Sequence, residues 1–227
     1  MGAIAALVWA LFTTSASASM VLSNVIVHFE PNAPARQDID IQNSGDEPLY
    51  IEIKPHQIFE AGSVNEHREL IRDPRQAGLL VTPNRLVIAP GARKRLRVVN
   101  LKPGDVAERI YRIAVTPVVG ELNAQESGLK VLIGYEVLVL AQPAAPQPNL
   151  FAQRVGQALH FENRGNTNVL LREGHQCEHD AEPLELCQAL ASKRLYPGNR
   201  WQVALPFDRP AQYQLGIGTQ HETKIYP

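Results

Sequence analysis

Residues 129–148 read LKVLIGYEVLVLAQPAAPQP, and the character of the chain changes within them. Up to residue 140, Leu, Val, Ile and Tyr recur at alternate positions, which is the pattern of a β-strand with one continuous apolar face. From residue 143 onward, three prolines fall within six residues. Proline cannot complete a sheet ladder and favours a stiff, extended connector. The stretch therefore predicts a long strand that ends one domain and a linker that leads to the next.

Alternating patterns on both sides of this stretch predict further strands. Residues 36–54 alternate around a turn at 43–46 and predict a hairpin with one buried and one solvated face. Residues 79–89 predict a strand that Pro83 confines to a sheet edge or a bulge. Further strands are predicted at 21–29, 95–99, 109–118, 158–162, 169–172, 201–205, 213–217 and 223–226. No helical period lasts longer than about two turns, so the predicted fold class is all-β, with two small sandwiches in tandem.

The first residues of the chain carry the layout of a secretory signal. A short apolar run at 3–12 is followed by small and polar residues ending in Ala16, Ser17 and Ala18. The run is too short to span a bilayer, and small residues flank the expected cleavage site after Ala18. A retained membrane anchor is the alternative, and no later run is long enough to cross a membrane. The predicted division is a signal peptide at 1–18, a first domain at 19–142, a linker at 143–148 and a second domain at 149–227.

The two cysteines, Cys177 and Cys187, enclose a short loop. In an exported protein this arrangement predicts a disulfide. Together with Glu173, His175 and His179 they could form a metal cluster, because Cys and His are ligands for zinc and copper. The spacing fits no common structural zinc site, and oxidation removes both thiolates. We therefore predict the disulfide and no metal.

Composition and motifs argue against several classes of function. The net charge is −1, so the chain as a whole has no reason to bind nucleic acid or an anionic surface. It lacks a Gly-x-Ser-x-Gly turn, a phosphate-cradling glycine loop and a His-Glu-x-x-His motif. We predict a protein that is not an enzyme and uses no cofactor. Arg93, Arg95 and Arg97 share one face of a strand and are predicted to be solvated, with docking to a partner as the alternative.

The long strand at 129–140 allows two interpretations. Most such apolar runs are central strands buried on both sides. This strand, however, is the last of its domain and follows a polar loop at 120–128, so its first half could lie at an edge. Soluble proteins normally cover an apolar edge unless a partner pairs with it. Periodicity does not decide between the two.

Several short motifs lie in order along the chain: VTP at 81–83, RL at 85–86, PG at 90–91, ERIYR at 108–112 and the 129–143 run that ends in Ala-Gln-Pro. Their order and spacing resemble the periplasmic chaperones of the chaperone–usher pilus pathway, over essentially the whole mature chain. The cysteine pair and RLYPG at 194–198 are more similar to the archaic or alternate branches. The resemblance implies two immunoglobulin-like β-sandwich domains and a periplasmic location.

The resemblance also implies a function. Chaperones of this family bind a pilus subunit that lacks a strand, supply the strand themselves and deliver the subunit to an outer-membrane usher. The residues at the matching positions are Leu129, Val131 and Ile133, with Tyr135 as a further candidate. Backbone pairing would give affinity and the alternate side chains would give register. The alternative is an exported immunoglobulin-like binding or structural module, such as an adhesin or a fibre component.

One expected feature of the family does not match. Its best-known branch binds the subunit's terminal carboxylate with two basic residues at the cleft between the domains. Ile26 and Leu138 occupy the matching positions, and neither side chain can bind a carboxylate. Arg112 and Lys130 are candidates for this role only because they are near in sequence, and a solvated surface residue is the favoured interpretation of each.

Overall fold

The computed structural model describes residues 20–118, 132–179 and 183–227, and nearly all of its elements are β-strands. Four sheets are formed, two from residues 20–141 and two from residues 150–226. Each pair of sheets encloses its own apolar core. The all-β prediction is therefore confirmed. The exact limits of the predicted domains and linker stay predictions, and the predicted signal peptide lies outside the described residues.

Two sheets form the first sandwich. One has the strand order β1 (Met20–Leu22), β3 (Arg36–Asn43), β8 (Arg93–Asn100) and β6 (Leu79–Thr82). The other has the order β2 (Ile26–Phe29), β10 (Tyr135–Ala141), β9 (Arg109–Val118), β4 (Leu49–Phe59) and β5 (His67–Leu70), and β7 (Arg85–Ile88) also pairs with β4. Ile39 and Leu96 from the first sheet meet Ile113 and Val139 from the second in a core from which solvent is excluded.

The second sandwich is smaller. One sheet contains β11 (Leu150–Val155), β12 (Ala158–Asn163) and β16 (Arg200–Ala204). The other contains β14 (Gln188–Leu190), β13 (Val169–Gln176), β17 (Ala211–Ile217) and β18 (Gln220–Tyr226), with β15 (Lys193–Leu195) pairing with β13. One short helix, α1 (Pro74–Ala77), and a 3-10 turn at Leu184–Leu186 complete the described elements. The predicted disulfide is present, with Cys177 and Cys187 joined at 2.03 Å.

The hairpin predicted over 36–54 is wrong. β3 pairs with β1 and β8, whereas β4 pairs with β9, β5 and β7, so the two strands belong to opposite sheets. Strands that face each other across a sandwich bury alternate residues in the same core, just as neighbours in one sheet do. The alternation at 36–54 was therefore the same for both arrangements and could not distinguish them.

The strands predicted at 21–29 and 79–89 are each two strands. β1 and β2 lie in opposite sheets, and so do β6 and β7. Pro83 follows β6 directly, and because proline has no N–H to donate it suits the point where the chain leaves one ladder for the other. The prediction of one strand with an edge proline or a bulge is corrected accordingly. The short strands β5, β11, β14 and β15 were not predicted, because their alternation is brief or their residues are exposed.

A buried asparagine holds the arch between β3 and β4. The Asn43 side chain donates from Nδ2 to the carbonyls of Glu47 at 2.7 Å and Ile88 at 2.9 Å. Its Oδ1 accepts the N–H of Gly45 at 3.0 Å. The Asn43 main chain also exchanges two hydrogen bonds with the Pro-Gly turn at 90–92. Asn43 is therefore fully satisfied at a corner from which water is excluded.

Asn163 repeats this arrangement in the second sandwich. Its Nδ2 donates to the carbonyls of Thr167 at 2.8 Å and Leu195 at 2.9 Å, and its Oδ1 accepts the N–H of Gly165 at 2.9 Å. Its main chain exchanges two hydrogen bonds with the Pro-Gly turn at 197–199. The asparagine and the Pro-Gly turn are 47 residues apart in the first sandwich (90 − 43) and 34 in the second (197 − 163), so the sequence shows no repeat of fixed period.

Candidate functional site

An open edge of β10 is the first part of the candidate site. β10 pairs with β9 along its whole length, starting with Tyr135 opposite Val115. On its other side, β2 pairs with it only from Leu138 to Ala141. Within the described residues, the start of β10 up to Val137 therefore has no neighbour on that side. An open edge of this kind is where a strand from another chain can add.

Hydrogen-bond directions show which main-chain groups face the open edge. The N–H of Leu138 donates to the carbonyl of Val25, just before β2, at 2.9 Å. Main-chain polar groups alternate sides along a strand. Glu136 therefore points its N–H and C=O toward the same edge. No described strand pairs with Glu136 on that side.

Pro117 explains why β10 begins at Tyr135. On the side of β4 that faces away from β9, the N–H of Ile53 donates to the carbonyl of Asn84 at 2.9 Å. Val115 lies opposite Ile53, so its own polar groups point the other way, toward β10. Pro117 is two residues further along and faces the same way without an N–H to donate. Continuing the register would place residue 133 opposite Pro117, where the ladder lacks a bond.

The strand predicted at 129–140 begins later than expected within the described residues. Residues 132–134 are not in a strand, and the strand runs over Tyr135–Ala141. Apolar alternation continues through both parts, so the sequence pattern could not mark this boundary. The missing N–H of Pro117 lies on β9 and can be recognised only once the pairing of β9 with β10 is known.

The predicted donor residues fall in three different situations. Leu129 and Val131 lie outside the described residues. The Ile133 side chain is 54% exposed, which is unusual for an isoleucine next to a sandwich core. Tyr135 packs against the first core, and its hydroxyl donates to the carbonyl of Met20 at 3.0 Å. Ile133 lies two residues before Tyr135, just ahead of the strand and beyond the part of the chain that the core covers.

Arg112 lies on the outer face of the same sheet. Leu138 is opposite Ile26 in β2 and opposite Arg112 in β9, so the three form one row across the sheet. Leu138 and Ile26, the positions at which the family's best-known branch has basic residues, therefore lie in the same row of the sheet as Arg112. The Arg112 side chain makes no hydrogen bond or ion pair with another described residue. Lys130, the other candidate, lies outside the described residues.

The second sandwich faces this row. Tyr196 packs against an apolar cluster on the outer face of the first sandwich, formed by Ile58, Ala61, Ile110, Leu138 and Leu140. Arg194, two residues earlier, lies near enough for its charge to interact with that of Arg112. Sequence reasoning did not assign Arg194 a role, although it belongs to the RLYPG motif at 194–198.

A carboxylate of the first sandwich holds this contact together. Glu108 accepts the main-chain N–H of Asn168 at 2.7 Å, its side-chain N–H at 2.5 Å and the hydroxyl of Thr167 at 3.3 Å. The Asn168 side-chain oxygen in turn accepts a hydrogen bond from Arg194. Glu108 therefore connects the two sandwiches and, through Asn168, fixes the guanidinium of Arg194.

Burial controls the charges in this cleft. It raises the pKa of the Glu108 carboxyl, and the hydrogen bonds from Asn168 offset only part of that effect. It lowers the pKa of Arg194; the charges of Tyr196 and Glu108 oppose this shift, and the charge of Arg112 adds to it. It also lowers the pKa of His28 in β2, with a further contribution from the charge of Arg194. The cleft thus brings the Glu108 carboxyl group together with the guanidinium group of Arg194.

Glu108→Gln should flatten the pH dependence of stability. A raised pKa means that the folded protein binds the proton more tightly than the unfolded chain, so stability from this group is complete below its ordinary pKa of 4.5 and is lost as the pH rises through the raised value. Urea unfolding between about pH 4 and pH 7 measures this, and the wild type should lose more unfolding free energy than the variant across that window. Glu69→Gln, on the exposed strand β5, is the control. Equal pH slopes for wild type and Glu108→Gln would contradict the prediction.

The arginines predicted to share one face at 93–97 lie on the surface of the first sandwich. Arg95 lies 3.3 Å from Asp40, and Arg97 lies 2.9 Å from Asp38, which lies on the neighbouring strand β3. This ladder of opposite charges accounts for the basic run. The described residues contain no group of three His, Cys, Asp or Glu side chains that could hold a metal ion. They also contain no helix long and apolar enough to cross a membrane.

Comparison with known proteins identifies the fold. No protein-family model matches the chain. The crystal structure of the class 5 fimbriae chaperone CfaA superposes with a TM-score of 0.65 at 20% identity, covering 92% of this chain and 99% of CfaA. The chain has the fold of a fimbrial chaperone. This chaperone fold also occurs in the CsuC–CsuE chaperone–tip adhesion subunit complex of Acinetobacter baumannii, with a TM-score of 0.60, 14% identity and coverage of 92% and 98%.

Two further matches have names that bear on function. The complex of SafA pilin with the SafB chaperone of Salmonella enterica matches with a TM-score of 0.62 and 14% identity, covering 94% of this chain and 98% of the matched one. By sequence, a protein of Escherichia coli named as a CS1 fimbrial subunit is 22% identical over 177 residues, which are 74% of this chain and 73% of that protein. The chaperone fold is therefore shared with proteins solved both alone and bound to a fibre subunit.

Proposed function

We propose that the protein is a periplasmic chaperone that binds and folds pilus or fimbrial subunits by donor-strand complementation and delivers them to an outer-membrane usher. The observation that carries this proposal is the open edge of β10 beside the exposed side chain of Ile133. The predicted signal peptide at 1–18 would direct export, and a disulfide suits an oxidising compartment.

The edge provides both parts of strand recognition. The N–H and C=O groups of Glu136 are available for pairing with an added strand. Ile133 and Tyr135 would insert into the open core of a subunit, and the sequence alternation includes Val131 and Leu129 in the proposed set of donor side chains. Each such side chain, when fully buried, contributes about 1.5–3 kcal/mol. Three of them contribute about 4.5–9 kcal/mol before association costs are subtracted.

Pro117 supports the same function. Because it offers no N–H opposite residue 133, pairing with β9 holds this part of the chain weakly. The segment can therefore complete its strand pairing with a subunit rather than with its own sheet. Arg112, and Lys130 with it, are proposed to bind the terminal carboxylate of that subunit, since the Arg112 side chain makes no hydrogen bond or ion pair with another described residue.

A fibre component is the second candidate, and the name of the sequence relative favours it. A fibre subunit that awaits a donor strand should have an incomplete sandwich. Here β10 closes the first core from within the chain, because Val137 and Val139 are fully buried between β9 and the opposite sheet. The first sandwich therefore needs no strand from a neighbour, which favours the chaperone.

Ile133→Asp should abolish capture of the subunit. The substitution removes one buried apolar side chain and places a charge in the groove, so affinity should fall at least about 100-fold. Tagged wild type and variant are purified from the periplasm of the native host, and copurifying proteins are identified by mass spectrometry. The double variant Val131→Asp, Ile133→Asp should show the same loss.

Ile225→Asp is the matched control. Ile225 is an isoleucine of the edge strand β18 in the second sandwich and is 63% exposed, so its replacement should leave capture unchanged. The expected partner is a small secreted immunoglobulin-like subunit that is present with wild type and Ile225→Asp. If nothing copurifies with the wild type, or if the same partners bind Ile133→Asp, the chaperone proposal fails and the exported binding module becomes the better account.

A further inference from the structure

The outer face of the three-stranded sheet in the second sandwich carries a groove that the proposed function does not use. Its volume is about 520 Å³, and side chains of β11, β12 and β16 line it. The central strand β12 is paired on both sides, with β11 and with β16, so the floor of the groove is made of side chains rather than of free main-chain groups. A ligand in this groove is therefore recognised by side chains and not by addition of a strand.

A row of three planar polar side chains crosses the groove. Gln153, His160 and Gln202 lie opposite one another on the three strands. None of these side chains makes a hydrogen bond or ion pair with another described residue. An amide group contains both donors and an acceptor, and so does a neutral imidazole ring. The row thus presents both kinds of hydrogen-bonding group, and it matches sugar hydroxyl groups, which also donate and accept.

The neighbouring row carries charge. Phe151, Glu162 and Arg200 lie opposite one another, two residues along each strand from the first row and therefore on the same face. Glu162 accepts hydrogen bonds from Arg200 at 3.0 Å and 2.8 Å through Oε1. Through Oε2 it accepts one from Arg164 at 2.7 Å. Two guanidinium groups share one carboxylate, so a positive charge is left over at this end of the groove.

Both arginines keep donors for a ligand. The Nε and Nη2 groups of Arg164 and Arg200 lie against Glu162, whereas Nη1 of each makes no hydrogen bond with another described residue. The Arg200 side chain is 79% exposed. Arg164 lies over the ring of Phe151, 3.8 Å from its centroid, which helps to hold its guanidinium group in place. The arginines are thus oriented before a ligand arrives.

The composition of the groove indicates which class of ligand fits. A protein interface has an apolar centre, and the two rows contain only one apolar side chain, that of Phe151. Nucleic acid requires several uncompensated cations, whereas this end of the groove has one. A saccharide offers hydroxyl groups to the polar row and C–H groups to the aromatic ring. A carboxylate on the saccharide would neutralise the remaining positive charge.

We propose that the groove over β11, β12 and β16 is a binding site for an acidic saccharide chain. Arg164 and Arg200 bind a carboxylate of the chain. The row of Gln153, His160 and Gln202 binds hydroxyl groups of the adjacent sugar. The site lies on the second sandwich, whereas the open edge of β10 lies on the first, so binding at one leaves the other free. The protein would thereby be retained on an acidic polysaccharide of its compartment.

Two forms of one tetrasaccharide test the inference. Tetragalacturonic acid and its methyl ester have the same sugar rings and differ in charge, and the affinity of the full mature chain for each is measured by calorimetry at low salt. The wild type should bind the acid at least about tenfold tighter than the ester, and Arg200→Ala should remove most of that ratio. Gln202→Ala should weaken both forms by the same factor, about threefold or more, because their hydroxyl groups are identical.

Lys193→Ala and Gln188→Ala are the matched controls. Both residues are exposed on the other sheet of the second sandwich, so the loss of a charge or an amide there should leave both affinities unchanged. Arg200 and Gln202 are exposed as well, and thermal unfolding verifies that their variants are folded. Ile133→Asp should bind both forms as the wild type does, which separates this site from strand pairing at β10.

Three results overturn the inference: no binding of the acid by the wild type, equal binding of the acid and the ester, or an unchanged ratio in Arg200→Ala. Inorganic phosphate provides a further test, because it carries charge but no sugar. Phosphate should compete with the acid only weakly. If it competes at equal concentration, the groove binds anions in general and the assignment to a saccharide is wrong.

Discussion

Asn43→Leu should lower the free energy of unfolding by about 3–5 kcal/mol. The asparagine side chain makes three hydrogen bonds at a corner with 0% exposure, and leucine has the same branched arrangement of heavy atoms but can make none. Each lost bond costs about 1 kcal/mol, and each main-chain group left buried without a partner adds to that cost. Urea unfolding followed by far-UV circular dichroism measures the change.

Asn65→Leu serves as the control for this substitution. Asn65 is an exposed residue of the turn before β5, so the same chemical change should alter the unfolding free energy by less than about 0.5 kcal/mol. A loss below about 1 kcal/mol for Asn43→Leu would show that the corner tolerates the missing side chain and that its main-chain bonds are sufficient.

Phe161→Ala should destabilise the second sandwich by about 4 kcal/mol. The ring is 2% exposed and is stacked on Trp201 at 5.7 Å, with Tyr213 and Tyr226 edge-on at 5.7 Å and 5.1 Å. Removing a buried phenylalanine costs about 3–5 kcal/mol through lost apolar burial and the cavity that remains, and the lost aromatic pairs belong to this cost.

Tryptophan fluorescence isolates this effect. Of the two tryptophans, Trp9 lies in the predicted signal peptide, so the fluorescence of the mature chain reports on Trp201. The urea midpoint of the unfolding transition followed by Trp201 fluorescence should fall sharply in Phe161→Ala. Phe151→Ala, on the neighbouring strand β11 with a ring 38% exposed, should lower the free energy of unfolding by about 1 kcal/mol or less. Similar losses for the two variants would mean that the aromatic cluster is not the main support of the second sandwich.

The sequence predicted local structure better than the arrangement of strands. The strand at Arg109–Val118 was predicted with its observed limits, because its alternation is uninterrupted and both ends are polar or near turns. The pairing of 36–54 could not be predicted, since the core lies between two sheets and alternate residues face it from either one. The buried corners at Asn43 and Asn163 could not be predicted either. An Asn-x-Gly turn has the same sequence pattern as a solvated loop until its buried hydrogen-bond partners are known.

The candidate site was predictable only in part. The apolar face through Ile133 and Tyr135 could be recognised from alternation together with the family resemblance. That Ile133 lies at an open edge depends on where β2 ends its pairing, which is a property of the sheet. Arg194 is 82 residues from Arg112 (194 − 112), and no pattern in the sequence connects them. Only the packing of the two sandwiches brings these charges together.

The matched corners at Asn43 and Asn163 also bear on ancestry. Five hydrogen bonds recur at equivalent atoms in two sandwiches that otherwise differ in strand number, in core composition and in their disulfide. Tandem duplication of a gene for one ancestral sandwich accounts for both corners with a single event. On that account the two copies have diverged, since the first sandwich has the open edge and the second has the aromatic core and the cysteine bridge. The corner would then be the oldest shared element of the chain, retained while the residues around it were replaced.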